Sequence, residues 1–423
     1  MTTPWPRDYV PSDWNDPLDD VVTSLMAHYN SGRRRHDLMA VERLAGMVLP
    51  TRVPLHVVVV GTNGKSSTAH FLATLLHRHG VHVGLYTSPH IRYWNDRVQT
   101  NLEPVAPSAW RQALVSVHEA ARTQKQRPGD LRFFDVLTLA AESLFVQDEI
   151  EVAIFEAGIG GRLDAVRVLQ PQLTLLTSIG EDHEELLGRE PRERLLEKVQ
   201  VAPTGGAIIS SALADELASE LVQASRRHGL SLTLLADVQR DLSQPAVPAY
   251  QRANAALAEA GARWVVGGRV GSVQDLRFGG RFEQGETGSV QWIADVAHNP
   301  TAWSAFLDAL PDEPFEVVAA ITEPRPTEQF VEVLARHAGR IGHLTSTGIT
   351  VRPARDPETI AASARAAGMD AVAVADPREA FASAWRRARD NGRRLLVFGS
   401  NYLVVDYFAW VASFESHAEA GRR

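Results

Sequence analysis

The stretch that most constrains this chain is residues 55–67. An unbroken apolar run, Leu55–Val60, leads directly into Gly61-Thr62-Asn63-Gly64-Lys65-Ser66-Ser67. A run of that length ending in a glycine turn reads as a strand buried on both faces, of the kind parallel sheets use. The glycines permit a tight turn, and the helix that follows presents backbone N–H groups to an anion. Lysine is scarce: Lys65, Lys125 and Lys198 are the only three, and arginine supplies the rest of the positive side-chain charge. A phosphate loop needs a compact ammonium on a thin stem, which a planar guanidinium cannot replace. Thr62, Asn63, Gly64, Lys65, Ser66 and Ser67 are therefore candidate nucleotide contacts. Lys65 would reach the terminal phosphates, and Ser66 would offer its hydroxyl to Mg²⁺. Two residues separate Gly61 from the Gly-Lys pair, where the common phosphate loop has four, so this loop is a shortened variant. The competing reading is a plain glycine turn with an exposed lysine.

The apolar pattern continues as alternating strands and helices. Strands are predicted at Leu55–Val60, 82–86, Val152–Glu156, 173–177 and 207–209, with helices at 67–79, 107–124, 134–146 and Pro191–Val199. This alternation predicts a mostly parallel sheet covered on both faces. A helix over 250–260 precedes the glycine-rich stretch 267–288, and the alternation then restarts. Strands are predicted over 290–296, 315–321, 341–346 and 394–398, and helices over 300–310, 327–339 and 378–391. The length of 423 residues favours two domains. The expected organisation is a nucleotide-binding α/β domain over 1–280, a linker over 281–289, and a smaller Rossmann-like α/β domain over 290–423.

Composition narrows the chemistry. The net charge of −8 argues against nucleic-acid or anionic-membrane binding, and the absence of cysteine excludes disulfides, thiolate metal sites and a cysteine nucleophile. Residues 1–20 are polar and hold Pro4, Pro6 and Pro11, with no signal-peptide core, and no stretch is apolar enough to span a membrane. A cytoplasmic chain is expected.

More candidates follow predicted strands. Glu156 closes the run Val152–Glu156 and leads into Ala157-Gly158-Ile159-Gly160-Gly161-Arg162-Leu163-Asp164. A carboxylate at the C-terminal end of a strand is placed to hold Mg²⁺. Ser88, in Thr87-Ser88-Pro89-His90, and His183, in Glu181-Asp182-His183, also follow strands. Singly these could be a loop acid, a cap and a surface histidine. Together they fall at one edge of the predicted sheet.

Several motifs then occur in a fixed order. They are Gly61 to Ser66, Ser88-Pro89-His90, Glu156 to Ala165, Asp182-His183, Glu197-Lys198, Gln251-x-x-Asn254-Ala255-Ala256, Gly280-Arg281-Phe282, Asp295-x-x-His298-Asn299-Pro300 and Gly399-Ser400-x-Tyr402. This set, spread over about residues 29–406, resembles the folylpolyglutamate synthase/dihydrofolate synthase branch of the Mur ligase superfamily. The resemblance implies a two-domain ATP-dependent amide ligase with a P-loop sheet domain and a Rossmann-like second domain. A carboxylate attacks the γ-phosphate of ATP, and an amino acid, typically L-glutamate, displaces phosphate from the resulting acyl phosphate. It implies two Mg²⁺ sites, one on Ser66 and one on Ser88, Glu156, His183 and Lys198. Lys198 would carry a carbamate, which only a primary amine can form. Gln251 and Asn254 would serve the adenine side, and Arg281 the phosphates. Asp295 and His298 would face the same cleft between the domains. His298 and Ser400 would serve the amino acid, although a serine there could also be a strand-end cap. Lys125 receives no role. The family suggests a monomer.

The acceptor side departs from the family pattern. Arg132-Phe133-Phe134-Asp135 stands where the family has Thr, an aromatic, then Phe-Glu, and Val166-Arg167 replaces Thr-Asn after Asp164-Ala165. Phe134 could stack on a flat ring, while Arg132 brings an added cation. Arg132, Phe134, Asp164 and Ala165 are thus the acceptor candidates. Three readings stay open: a folate-type ligase taking pteroate or a reduced folate, a ligase joining an amino acid to a non-folate carboxylic acid (an aromatic one, for example) in a specialised pathway, and a nucleotide-binding regulator without catalysis.

Overall fold

The computed structural model describes residues 17–30, 37–123, 130–181, 184–236, 248–273 and 278–420. Packing divides these into one unit up to residue 273 and another from residue 278 onward. In the first unit, α1 (Pro17–Asn30) and α2 (Leu38–Val48) precede β1 (Leu55–Val60), α3 (Lys65–Arg78), β2 (Val83–Tyr86), β3 (Val98–Thr100) and β4 (Glu103–Pro104). Then come α4 (Pro107–Thr123), α5 (Phe133–Gln147), β5 (Val152–Glu156), β6 (Leu173–Leu176), α6 (Glu184–Leu187) and α7 (Pro191–Val199). The unit closes with β7 (Ala207–Ser210), α8 (Asp215–His228), β8 (Ser231–Leu234) and α9 (Ala249–Val266).

The strands form one sheet in the order β4-β3-β2-β5-β1-β6-β7-β8. From β2 to β8 every pairing is parallel, and β3 and β4 add an antiparallel edge. Val57 to Val60 are fully buried, as a strand covered on both faces requires. The chain leaves β1 toward β2 on one side and later passes from β5 to β6 on the other. The reversal places β1 at a topological switch point, where such sheets open a crevice at their C-terminal ends.

The second unit runs β9 (Glu283–Thr287), β10 (Val290–Asp295), α10 (Pro300–Asp308), β11 (Phe315–Ala319), α11 (Thr327–Arg336), β12 (Ile341–Thr347), α12 (Pro357–Ala366), β13 (Ala371–Val374), α13 (Pro377–Asn391), β14 (Leu395–Phe398) and α14 (Asn401–Ala420). Its sheet order is β13-β12-β11-β14-β10-β9, parallel except for β9. Trp303 lies fully buried at the centre of one core layer, its ring centroid 4.6 Å from that of Phe330 and 4.7 Å from that of Phe398. Among the described residues no helix is long and apolar enough to cross a membrane.

The segment 281–289, expected to be a linker, holds β9 instead. β9 pairs antiparallel with β10 through a turn at Gly288, whose φ is +62°. Glycine tolerates that conformation, and Gly285 also yields space, since a Cβ there would lie 2.2 Å from the Trp292 ring. The glycines that suggested a flexible connector thus make a hairpin.

Candidate functional site

The loop after β1 is held open by glycine and closed by its neighbours. Gly61 has φ +147° and Gly64 has φ +87°. A Cβ on Gly61 would meet Thr177 Oγ1 at 1.8 Å, and one on Gly64 would meet Asn254 Oδ1 at 2.2 Å. No larger residue fits either place. The segment after β6 braces the loop from one side: Thr62 N donates to Ser178 O (2.8 Å), Asn63 N to Ser178 Oγ (3.0 Å), and Gly180 N to Thr62 Oγ1 (3.0 Å). Nothing in the sequence pattern singled out Ser178 and Gly180. Their signal was a serine and a glycine just past a buried strand.

Lys65 opens α3 and folds over its own loop, donating from Nζ to the carbonyls of Gly61 (3.2 Å) and Thr62 (3.0 Å). Lys198, buried on α7, donates to the same Gly61 carbonyl at 3.0 Å. Two of the chain's three lysines therefore converge on one backbone oxygen at the switch point. The third, Lys125, lies outside the described residues.

The two serines after Lys65 have different surroundings. The Ser67 hydroxyl accepts from Gln251 Nε2 (3.1 Å), and Gln251 Oε1 accepts from Asn254 Nδ2 (3.1 Å). Gln251 and Asn254 are buried on α9, which packs along α3, so they brace the loop as well as bordering it. The Ser66 hydroxyl has no hydrogen-bond partner among the described residues, and only its carbonyl is engaged, by His70 Nδ1 (2.8 Å). Ser66 is thus the hydroxyl available to a metal ion.

One strand away, Glu156 ends β5 and is buried; its register partner on β1 is Val59. Glu156 Oε2 accepts from the Ser88 amide (3.1 Å), and Oε1 has no partner among the described residues. A buried carboxylate with one uncommitted oxygen beside a serine fits a magnesium ligand. Asp182 and His183 lie outside the described residues, and within those residues no three His, Asp or Glu side chains cluster as a metal site.

The glycine-rich segment after β5 is bound to the Glu197-Lys198 pair. Arg162 N donates to Glu197 O (3.0 Å), and Arg162 Nε to Glu197 Oε2 (2.8 Å). A Cβ on Gly161 would lie 2.3 Å from Lys198 O, so only glycine lets the two backbones meet. Asp164 fixes the same loop: Oδ2 accepts from Gly158 N (2.8 Å) and Ile159 N (3.2 Å), and Oδ1 from Val166 N (3.1 Å). Burial raises the Asp164 carboxyl above the usual range against these bonds. Ala165 is buried behind it. Both acceptor candidates thus form the loop's scaffold.

The other two acceptor candidates are exposed. Arg132 is the N-cap residue of α5, and its amide donates to Asp135 Oδ2 (2.6 Å). Phe134, two residues on in the first turn of α5, leaves 44% of its surface open, and its ring would stand 3.6 Å from a Cβ at Gly158. Behind it lies a guanidinium the sequence did not single out. Arg97 is buried, with Cζ 4.5 Å from the Trp94 ring centroid and 5.9 Å from that of Phe134. Its Nε donates to His90 Nδ1 (3.0 Å), and burial, then Arg97, holds the His90 imidazole well below its ordinary pKa.

The remaining candidates sit in the second unit. Asp295 ends β10; Oδ2 accepts from Phe282 N (2.8 Å) and Oδ1 from Ala297 N (2.7 Å), which fastens the turn carrying Arg281 to the strand. Arg281 donates from NH1 to Gly279 O (2.9 Å), and His298 from Nδ1 to Val296 O (3.0 Å). Ser400, at the end of β14, accepts from Tyr402 N (3.2 Å) and Thr322 Oγ1 (3.2 Å) and is 1% exposed. It caps α14, as its strand-end position allowed.

Comparison with known proteins supplies a domain match and a fold. A model of the Mur ligase glutamate ligase domain matches residues 280–401. The dihydrofolate synthase/folylpolyglutamate synthase of Bacillus subtilis is 30% identical over 246 residues, covering 51% of this chain and 56% of that protein. The chain thus spans about half the length of that curated relative. Escherichia coli FolC in complex with DHPP and ADP superposes with a TM-score of 0.78 at 24% identity, covering 94% of this chain and 98% of that one. The bifunctional enzyme of Yersinia pestis complexed with AMPPNP and Mn ion gives 0.77 at 23%, covering 93% and 98%. Residues 280–401 thus carry a Mur ligase glutamate ligase domain, and the chain as a whole has the fold of these two solved structures.

Proposed function

We propose that this protein is an ATP-dependent amide ligase, joining the amino group of L-glutamate to the carboxylate of dihydropteroate or a reduced folate. The reading places it in folate biosynthesis and one-carbon metabolism, as a cytoplasmic monomer. One observation carries it. The Lys65 and Lys198 side chains meet at the Gly61 carbonyl, on a crevice where Ser66 and Glu156 each keep an oxygen uncommitted. That arrangement suits a triphosphate and divalent cations. A carboxylate oxygen of the acid attacks the γ-phosphorus and ADP leaves. The amine then attacks the acyl carbon, and inorganic phosphate and a proton depart.

Each group has a task. The backbone amides of the loop and the Lys65 ammonium bind and orient the phosphates, with Thr62, Asn63, Gly64 and Ser67 shaping the loop. Ser66 would hold one Mg²⁺, and Ser88, Glu156, His183 and a carbamate on Lys198 a second. The ions supply charge neutralisation on the transferring phosphoryl group. The carbamate forms from the neutral Lys198 amine and carbon dioxide with loss of one proton. Gln251 and Asn254 border the adenine, and Arg281 and Asp295 serve the phosphates. Phe134 and Arg132, on the loop fixed by Asp164 and Ala165, receive the acceptor acid, and His298 and Ser400 the amino acid.

The test is ADP release by the purified protein with glutamate and dihydropteroate, compared with a panel of aromatic acids. Turnover with dihydropteroate is expected. Turnover confined to other acids would move the acceptor away from folate, and ATP binding without turnover of any acid would overturn the ligase reading. Gel filtration checks the monomer.

A further inference from the structure

Between β2 and β3 the chain makes a turn that touches two parts of the candidate site. Asp96 knits the turn: its Oδ2 accepts from the amides of Arg92 (2.9 Å) and Tyr93 (2.8 Å). Asn95 Nδ2 donates to Val105 O (3.0 Å) and ties the turn to the chain beyond β4. Arg97 closes it and is only 5% exposed. A charged group taken out of water needs contacts that offset the loss.

Those contacts face two ways. Toward the metal candidates, Thr87 N donates to Arg97 O (2.9 Å) and Arg97 Nε to His90 Nδ1 (3.0 Å). Ser88 lies between these two anchors in the chain, and its own amide donates to Glu156 Oε2 (3.1 Å). Because Nδ1 accepts, the His90 proton sits on Nε2 and the ring is neutral, as burial and then the neighbouring guanidinium favour. Toward the acceptor candidates, Arg97 Cζ stands 5.9 Å from the Phe134 ring centroid, within cation–π range. Trp94, 4.5 Å from the same Cζ, lies 4.4 Å from the His90 ring and meets Phe133 edge-on at 6.1 Å. Burial raises the Tyr86 phenol, Arg97 opposes the rise, and Asp164 and Glu156 add to it. One buried side chain thus senses the guanidinium and both carboxylates of the site.

We infer that Arg97 is a positioning residue: it fixes the Phe134 ring against the Ser88 turn, and so sets where the acceptor acid meets the Ser88–Glu156 edge. The inference rests on the ligase reading above and adds to it a residue that acts only through others. A planar guanidinium can lie against aromatic rings and still hold a third group through Nε, which an ammonium or an apolar chain cannot do. The attacking carboxylate oxygen must come within about 3–3.5 Å of the phosphorus, so a displaced ring costs rate as well as affinity.

The experiment is a double-mutant cycle on the full-length protein: wild type, Arg97→Met, Phe134→Leu and the two combined, with Arg97→Lys beside them. Values of kcat and KM are measured for dihydropteroate and for ATP. Arg97→Met is expected to lower kcat/KM for dihydropteroate about tenfold or more, while KM for ATP stays within about twofold. Phe134→Leu, a change at an exposed ring, should lower it comparably. The double variant should be little worse than either single one, since both act through one contact, whereas independent effects would multiply. Arg97→Lys should stay well below the wild type. Multiplying losses overturn the inference, as do an unchanged kcat/KM for dihydropteroate in Arg97→Met, an equal change in KM for ATP, or full activity in Arg97→Lys. If Arg97→Met does not fold, the cycle is run with Arg97→Lys; if neither melts cooperatively, Arg97 is a strut of the core and the inference falls. If the wild type turns over no acid, the ligase reading fails by itself. Calorimetric titration of dihydropteroate into the same proteins then decides: coupled losses of binding uphold the positioning of Phe134, and unchanged binding, multiplying losses or no binding at all remove it.

Discussion

At the C-terminal edge of the first sheet, polar side chains are left with open valences. Ser66 and Glu156 each keep an uncommitted oxygen, and both lysines rest on a backbone carbonyl. At the same edge of the second sheet the oxygens are committed. Both carboxylate oxygens of Asp295 accept backbone amides, and the Ser400 hydroxyl caps a helix. The difference divides the labour. In the proposed function the first edge takes the charge of a polyphosphate and its cations. The second is a frame whose polar groups are spent on its own backbone turns and caps.

Substitutions at the first edge should therefore damage the chemistry, beginning with the largest effect. Lys65→Ala removes a preorganised charge aimed at the phosphates, and ADP release should fall on the order of a hundredfold or more. Circular dichroism should show an unchanged fold, since among the described residues the Lys65 ammonium bonds only to its own loop. Lys198→Arg should be nearly as harmful although the charge is retained. A guanidinium cannot be carbamylated and does not fit the buried place beside Gly61. Full activity in Lys198→Arg would end the carbamate proposal.

A smaller effect separates the adjacent hydroxyls. Ser66→Ala should lower the rate about tenfold or more and raise the Mg²⁺ concentration needed for half-maximal rate, if Ser66 is the proposed metal ligand. Ser67→Ala removes one neutral hydrogen bond from Gln251, worth about 1 kcal/mol, and should leave the Mg²⁺ requirement unchanged. The opposite ranking, read from Mg²⁺ titrations of the two variants, would reassign the metal to Ser67.

How much of this was legible in the sequence follows the same division. β1, the glycine loop and α3 could be read because the chemistry is local: a buried run, two left-handed turns and a lysine within a dozen residues. The meeting of Lys65 and Lys198 at Gly61 was not legible, since it joins residues 137 apart in the chain. Arg97 escaped notice because one arginine among many carries no mark, and only burial against Trp94 sets it apart. The reading of 281–289 as a linker failed because its glycines looked flexible, while the alternation through Glu283–Thr287 was too short to outweigh them. β13 and α12 were not predicted for a related reason. Both lie at the rim of the sheet, and half-exposed alanine-rich segments lack a strong apolar period. Asp164 and Ser400 show the limit of motif transfer: each is where the pattern places it, yet Asp164 bonds to backbone amides, and Ser400 to the Tyr402 amide and the Thr322 hydroxyl.

The mildest prediction tests the frame itself. Asp406 lies in the second turn of α14 and is 5% exposed. Oδ2 accepts the Thr350 amide at 3.0 Å, and Oδ1 is buried with no partner among the described residues. Burial raises the carboxyl from 3.8 to about 7, only partly opposed by that one hydrogen bond. The native state therefore keeps a proton that the unfolded chain has already released over this interval. The resulting stabilisation is complete below the unfolded value near 4 and is lost as pH rises through 7. Asp406→Asn mimics the protonated form at every pH: its amide oxygen can still accept from Thr350, and no charge is buried. The variant should melt close to the wild type at about pH 4.5 and above it at about pH 8.5, with a gain of at most about 4 kcal/mol, the free energy that so large a rise in a carboxyl's pKa represents. Catalysis should change little beside the Lys65 and Lys198 variants. Thermal unfolding of both proteins across that range checks it, and a gain that stayed flat with pH would show that the buried Asp406 charge costs the native state nothing.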